Sequence, residues 1–250
     1  MRSGVRLIGG GLLALGLVGC QSAKPVEKPL FVGPPDLAHV QAATLADLGA
    51  PVPAFKQLKL LVRAPGDGHI MGTSVETLKA ATGGAGRYTE EAIYHVLGGK
   101  CTVNNRTDAV GVGGFVVLQE LAESWSPDCE GWGTGYGRRE VSAMTQSGRL
   151  FPLKVGNRLT LRYTVIGTDR GRDEGVADYE EVAEETYEVI ERQPDYRLEN
   201  GRNLGEVFAI RATSVKPGKR RTYTFLFSTM LGWRVGYTTD VRVVLVDWAR

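Results

Sequence analysis

Hydrophobic and polar residues alternate along the second half of the chain. Leu159, Leu161, Tyr163 and Val165 are interleaved with Arg158, Thr160, Arg162 and Thr164, the period of a strand with one buried face. Tyr223, Phe225 and Phe227 alternate with Thr222, Thr224 and Leu226 in the same way. Shorter stretches of this kind are Val141 to Thr145, Glu206 to Ala212 and Val241 to Trp248. Gly, Asn, Asp and Pro clusters separate them, so the pattern predicts antiparallel strands in a sandwich or curved sheet. Tyr179 to Glu191 is acidic and fits a solvated helix as well; its setting among strands favours a strand.

The first half reads as mixed. Gln57 to Arg63 fits a strand. Thr73-x-x-Glu76 has the form of a capping box, with Val75, Leu78 and Ala81 on one helical face and Gly83 at the end. A helix from Thr89 has Glu90 and Glu91 in its first turn, where the dipole favours them, and Ala92, Ile93, Val96 and Leu97 follow at helical spacing before Gly98. Asp36 can cap a third helix through Leu37, Val40, Ala43, Leu45 and Leu48, stopped by Gly49 and Pro51. The expected fold class is therefore α+β: an antiparallel sheet with two or three short helices in the N-terminal half. A mixed region at 36–100 and a β-rich region at 101–250 form one continuous body in this reading.

The start of the chain follows a different pattern. Arg2 and Arg6 precede an uncharged run from Leu7 to Val18, a secretory signal rather than a membrane span, because about 12 apolar residues cannot cross a ~30 Å hydrocarbon core. Residues 20–35 carry Pro25, Pro29, Pro34 and Pro35, a density that favours extended, semi-rigid backbone and reads as a tether. Leu17-Val18-Gly19-Cys20 resembles the lipobox of bacterial lipoproteins. That resemblance implies cleavage of residues 1–19, a diacylglyceryl group on the Cys20 thiol and an acyl chain such as palmitate on its new amino terminus. Gln21 after the cysteine implies, by the same resemblance, the outer membrane, facing the periplasm. Two or more chains anchor stably where one is marginal.

A second resemblance concerns the last hundred residues. Gly148 to Asn157 contains Pro152-Leu153-Lys154-Val155-Gly156, and Tyr223 to Ser228 leads to Leu231-Gly232-Trp233. This is similar to β-rich, uncharacterised bacterial envelope proteins, with the proline often found before the second turn replaced by Ser228-Thr229-Met230. It implies architecture only, since fold does not carry function.

Removing residues 1–19 takes away Arg2 and Arg6, so the 30 basic residues become 28 against 28 acidic ones. The net charge of +2 belongs to the signal. A balanced body lacks the basic stripe that nucleic acid requires, and nucleic acid is excluded as a partner. With Cys20 lipidated, Cys101 and Cys129 remain, and an even pair in an exported protein reads as a disulfide.

Catalytic motifs are sparse. No GxSxG, HExxH or Walker loop is present, and neither a cofactor nor a metal is expected. His39 and His95 fall in helical patterns. His69 stands beside Asp67 in a Pro-Gly-Asp-Gly-His turn, the one place where a hydrolase could be built. Nine acidic residues lie between Asp173 and Glu191 without the spacing of a calcium loop. Trp125 to Arg139 is the most distinctive segment, where Trp125, Trp132, Tyr136 and Arg138 among glycines could meet a small ligand or glycan.

These readings converge on a noncatalytic, lipid-anchored envelope protein of structural or interaction role. Its contacts would be the membrane through Cys20 and an envelope protein or glycan. The alternatives are a binding module using the 125–139 loop and, after it, a hydrolase at Asp67 and His69.

Overall fold

The computed structural model describes residues 48–82, 84–96, 99–129, 135–170, 176–239 and 241–250. The signal, Cys20, the tether, His39 and most of the helix expected from Asp36 lie outside the described residues.

Twelve antiparallel strands follow one another: β1 Gln57–Arg63, β2 Ile70–Thr82, β3 Ala85–Val96, β4 Cys101–Val112, β5 Val116–Trp125, β6 Gly135–Arg149, β7 Arg158–Arg170, β8 Val176–Arg197, β9 Asn203–Lys216, β10 Lys219–Ser228, β11 Trp233–Thr238 and β12 Arg242–Ala249. Each pairs with its neighbours in sequence, and β1 closes on β12 through Gln57↔Ala249 to Arg63↔Arg242. The product is a closed barrel, which leaves no sheet edge to protect.

The expected α+β class is overturned. There is no helix among the described residues, and the sheet is neither a sandwich nor an open curve. The two segments read as helices from Thr73 and Thr89 belong to β2 and β3, joined as a hairpin. Thr73, Val75 and Thr77 are β-branched at alternate positions, a strand signal. It is masked because the alternate positions Ser74 and Glu76 are polar and yet buried. Apolar-in, polar-out alternation fails where the interior is itself polar.

The register fixes which residues face inward. Leu159↔Tyr187↔Ala212↔Tyr223 is one inward row, and Leu58↔Glu76↔Glu90↔Thr107↔Ala122↔Gly137 is another. Outward positions on β7, β8 and β9 include Arg158, Arg162, Glu184, Glu188, Arg211 and Thr213. Charged and threonine rows run the length of this wall. Exposed Ile166, Val182 and Val215 interrupt these rows on the same three strands.

One end is sealed. Leu48, Phe55, Leu150, Phe151 and Leu231 come from its connections and are buried against the strand ends. The β4–β5 turn at Gly113–Phe115 leans across this floor. The Gly113 carbonyl accepts a hydrogen bond of 2.8 Å from the Arg234 amide of β11, five strands away round the barrel. The Phe115 ring lies 5.0 Å from Tyr187 and 5.0 Å from Phe225, with Phe227 and Phe151 beyond. A barrel of twelve strands is wider than its own wall side chains can fill; the turn supplies the missing volume.

The β8–β9 hairpin outgrows the barrel. Register breaks at Val189/Glu191, Gln193/Tyr196 and Tyr196/Arg197 bend it, as bulges do. Its tip lies over β10 and β11 and reaches β12 and β1. Asn200 donates to the Val246 carbonyl at 2.7 Å, Arg202 pairs with Asp247, and Glu199 meets Arg63 at 2.9 Å. The Arg202 guanidinium lies 3.6 Å from the Trp248 ring centroid. Between this tip and the wall runs a groove of about 370 Å³ whose lining includes Tyr196, Thr224, Leu226, Tyr237, Arg242 and Val244.

Candidate functional site

The lumen changes character from floor to mouth. At the floor, inward Leu161, Tyr187, Phe225 and Phe227 are wholly buried. Toward the mouth, inward side chains are polar and water reaches them: Arg139 is 40% exposed, Glu181 30% and Glu120 25%. Inward-pointing charges that solvent can reach stand above an aromatic floor, and this upper part of the lumen is the candidate cup.

The cup wall is built from tyrosines and carboxylates on alternate positions of neighbouring strands. β2 contributes Glu76, β3 Tyr88, Glu90 and Tyr94, and β7 Tyr163. β8 supplies Tyr179, Glu181 and Glu185; β10 and β11 supply Tyr223, Arg234 and Tyr237. Trp233 Nε1 donates to Glu76 Oε2 at 2.7 Å, and Arg234 lies 3.7 Å from Glu76 Oε1. Ser74 donates to Glu90 at 2.8 Å, Arg139 pairs with Glu120 at 2.6 Å, and Lys216 with Glu181 at 2.6 Å. Tyr187 donates to Glu185. The Arg234 guanidinium also lies over the Tyr237 ring, 4.9 Å from its centroid.

Burial sets the electrostatics of this wall. It raises Glu76 to about 7, helped by the negative charge of Glu90 and opposed by Arg234 and the Trp233 hydrogen bond. Burial also pushes the Tyr223 phenol up to about 12, with Glu185 adding to it, and Tyr237 to about 12 against the opposing charge of Arg234. Tyr88, Tyr94 and Tyr163 move upward for the same primary reason. These phenols stay protonated and can donate to a ligand.

The residues singled out from sequence stand elsewhere. Trp125 ends β5 and is exposed. Tyr136 and Arg138 are opposite Glu123 and Leu121 on the outward face of β6. Arg138 bonds Glu140 at 3.4 Å, and Arg170 lies 5.8 Å over the Tyr136 ring. Trp132 lies outside the described residues. Cys101 and Cys129 form a disulfide with Cα atoms 5.2 Å apart, tying the start of β4 to the β5–β6 connection. Asp128 accepts the Thr102 amide at 2.8 Å beside it, which holds its carboxyl below the usual range.

Asp67 and His69 do meet, with Oδ1 2.8 Å from Nδ1, on an exposed turn at the mouth. The His69 ring bonds no other side chain among the described residues, so the pair has no nucleophile to activate there. His95 is outward on β3 and exposed. Among the described residues no group of three His, Cys, Asp or Glu side chains is arranged to hold a metal ion.

The sequence pattern reads Glu76 and Glu90 as helix-start residues, places Tyr163 and Tyr223 on the buried face of strands, and does not single out Glu185 or Arg234. The signal for them was there: tyrosine and glutamate share one parity along β3 (Tyr88, Glu90, Tyr94) and β8 (Tyr179, Glu181, Glu185, Tyr187). Searches of family models, of curated proteins and of solved structures return no match to this chain.

Proposed function

We propose that the protein is a noncatalytic binding module of the cell envelope, held by lipid at Cys20, with its ligand in the lumen. The observation that carries the binding role is the exposure gradient: inward charges open to water stand above a sealed aromatic floor. Ligand pockets combine these two elements, an apolar bed and a few convergent polar groups. The Trp125, Tyr136 and Arg138 wall is convex and outward, and it takes second place as a contact for an envelope partner.

Thiol accessibility tests the cup. Ala122 faces the lumen near the mouth and Ala212 is buried at the floor between Tyr187 and Tyr223. In the folded protein, Ala122→Cys should react readily with a small water-soluble thiol reagent, and Ala212→Cys only after unfolding. Equal protection of both would overturn the cup. The anchor is tested separately: Cys20→Ser should release the protein from the membrane fraction and abolish incorporation of labelled palmitate.

A further inference from the structure

Glu90, Asp169 and Glu185 all face the lumen, and none of them has a cationic side chain within ion-pair distance among the described residues. The inward arginines stand closer to other carboxylates, Arg139 at 2.6 Å from Glu120 with its Nε left without a partner, and Arg234 at 3.7 Å from Glu76. Among the described residues, Arg221 and Lys219 share the inward parity of β10 without an ion-pair partner, and both stand at the mouth. The interior below the mouth is thus short of positive charge.

Tyrosine rings surround the uncommitted carboxylates. Glu185 accepts from Tyr187 and acts on the Tyr163 and Tyr223 hydroxyls. Tyr223 in turn feels Tyr237, and Tyr237 feels Glu90, as does Tyr94. The rings and the two glutamates share the inward face of the barrel and lie within electrostatic reach of one another. One of these faces already holds a cation, since Arg234 stacks on Tyr237. In addition, the inward Asn105 Oδ1 and Gln146 Oε1 are buried acceptors without a donor, and Arg139 Nε is a buried donor without an acceptor; a protonated amine or a ligand hydroxyl would serve the two acceptors.

We propose that the cup takes an organic cation, a quaternary or protonated amine, bedded on Tyr94, Tyr163, Tyr223 and Tyr237 and balanced by Glu90 and Glu185. Aromatic faces attract such cations through the ring quadrupole, more strongly where water is partly excluded. A carboxylate ligand would instead meet uncompensated negative charge. This rests on the cup reading above and adds the sign of the ligand's charge to it.

Three isosteric probes decide the matter by titration calorimetry on the full-length protein in detergent: choline, the neutral 3,3-dimethylbutan-1-ol and the anionic 3,3-dimethylbutanoate. Choline should bind at least about tenfold tighter than the alcohol, and the carboxylate weakest. The double variant Glu90→Gln and Glu185→Gln should lose about tenfold in choline affinity and keep the alcohol's. Ser214→Lys, placed opposite Glu185, supplies an internal cation and should give the same loss without removing a carboxylate. Equal or tighter binding of the alcohol or the carboxylate overturns the cation assignment and leaves the cup standing. No binding of any probe at millimolar concentration overturns the assignment too, while the thiol contrast at Ala122 and Ala212 still decides the cup.

Discussion

The backbone of Gly113 is hydrogen-bonded across the barrel to the backbone of Arg234, so the β4–β5 turn and β11 hold the floor together although they are not neighbours in the sheet. Gly114 beside it has φ +73°, and a Cβ there would lie 2.6 Å from Trp233 Nε1. Gly114→Val combines a disfavoured backbone with a clash in a packed floor. It should cost about 2–4 kcal/mol. Urea unfolding followed by Trp233 fluorescence reads both the loss and the displaced indole.

Glu76 should give the stability curve a characteristic slope. Its folded-state pKa, about 7, lies above the usual 4.5. Across that interval the native state keeps a proton that the unfolded chain has released, so stability is highest below about 4.5 and falls as pH rises through 7. A shift of this size corresponds to a few kcal/mol, about 1.4 per pH unit. Glu76→Gln keeps an acceptor for Trp233 and should flatten this part of the profile, measured as urea midpoints at a series of pH values.

The hairpin tip should open independently of the barrel. Arg202 joins Asp247, the Trp248 carbonyl and the Trp248 ring, and these contacts are partly exposed, so their sum is modest. Arg202→Ala should lower local stability by about 1 kcal/mol. Hydrogen exchange at residues 196–204 should speed up by about fivefold while β7 and the barrel half of β8 keep wild-type protection.

Reduction of the Cys101–Cys129 bridge, whose partners are 28 residues apart, removes a constraint on the unfolded chain. On the chain-entropy account it should destabilise by about 3–4 kcal/mol. A drop in urea midpoint on adding reductant, absent in a Cys101→Ala, Cys129→Ala variant, checks it.

Strands with an apolar lumen face were legible from the sequence. β7, with Leu159, Leu161 and Val165 inward, and β10, with Phe225 and Phe227 inward, alternate as periodicity requires. β2 and β3 were not, because Ser74, Glu76, Glu90 and Tyr94 line a wet interior and erase the apolar period. Without it, the helix signals of Thr73, Glu76, Glu90 and Glu91 dominate the local pattern. The same cause hid the cup: its residues look like surface until the sheet closes. Barrel closure itself depends on Gln57 meeting Ala249 across the whole chain, a pairing that no local pattern encodes. Trp125 and Tyr136 look like a binding loop because aromatic residues stand beside glycines; the register places Tyr136 on the outward face of β6.

The sealed floor also gives the molecule a direction. Leu48 is buried among the floor side chains, and the Ala54 amide bonds the Leu231 carbonyl there, so the chain enters the barrel at its closed end. A lipid stem upstream of Leu48 would place that closed end toward the bilayer and turn the tyrosine-lined mouth away from it. The lumen would then sample solutes of the surrounding aqueous compartment rather than lipids of the membrane beneath.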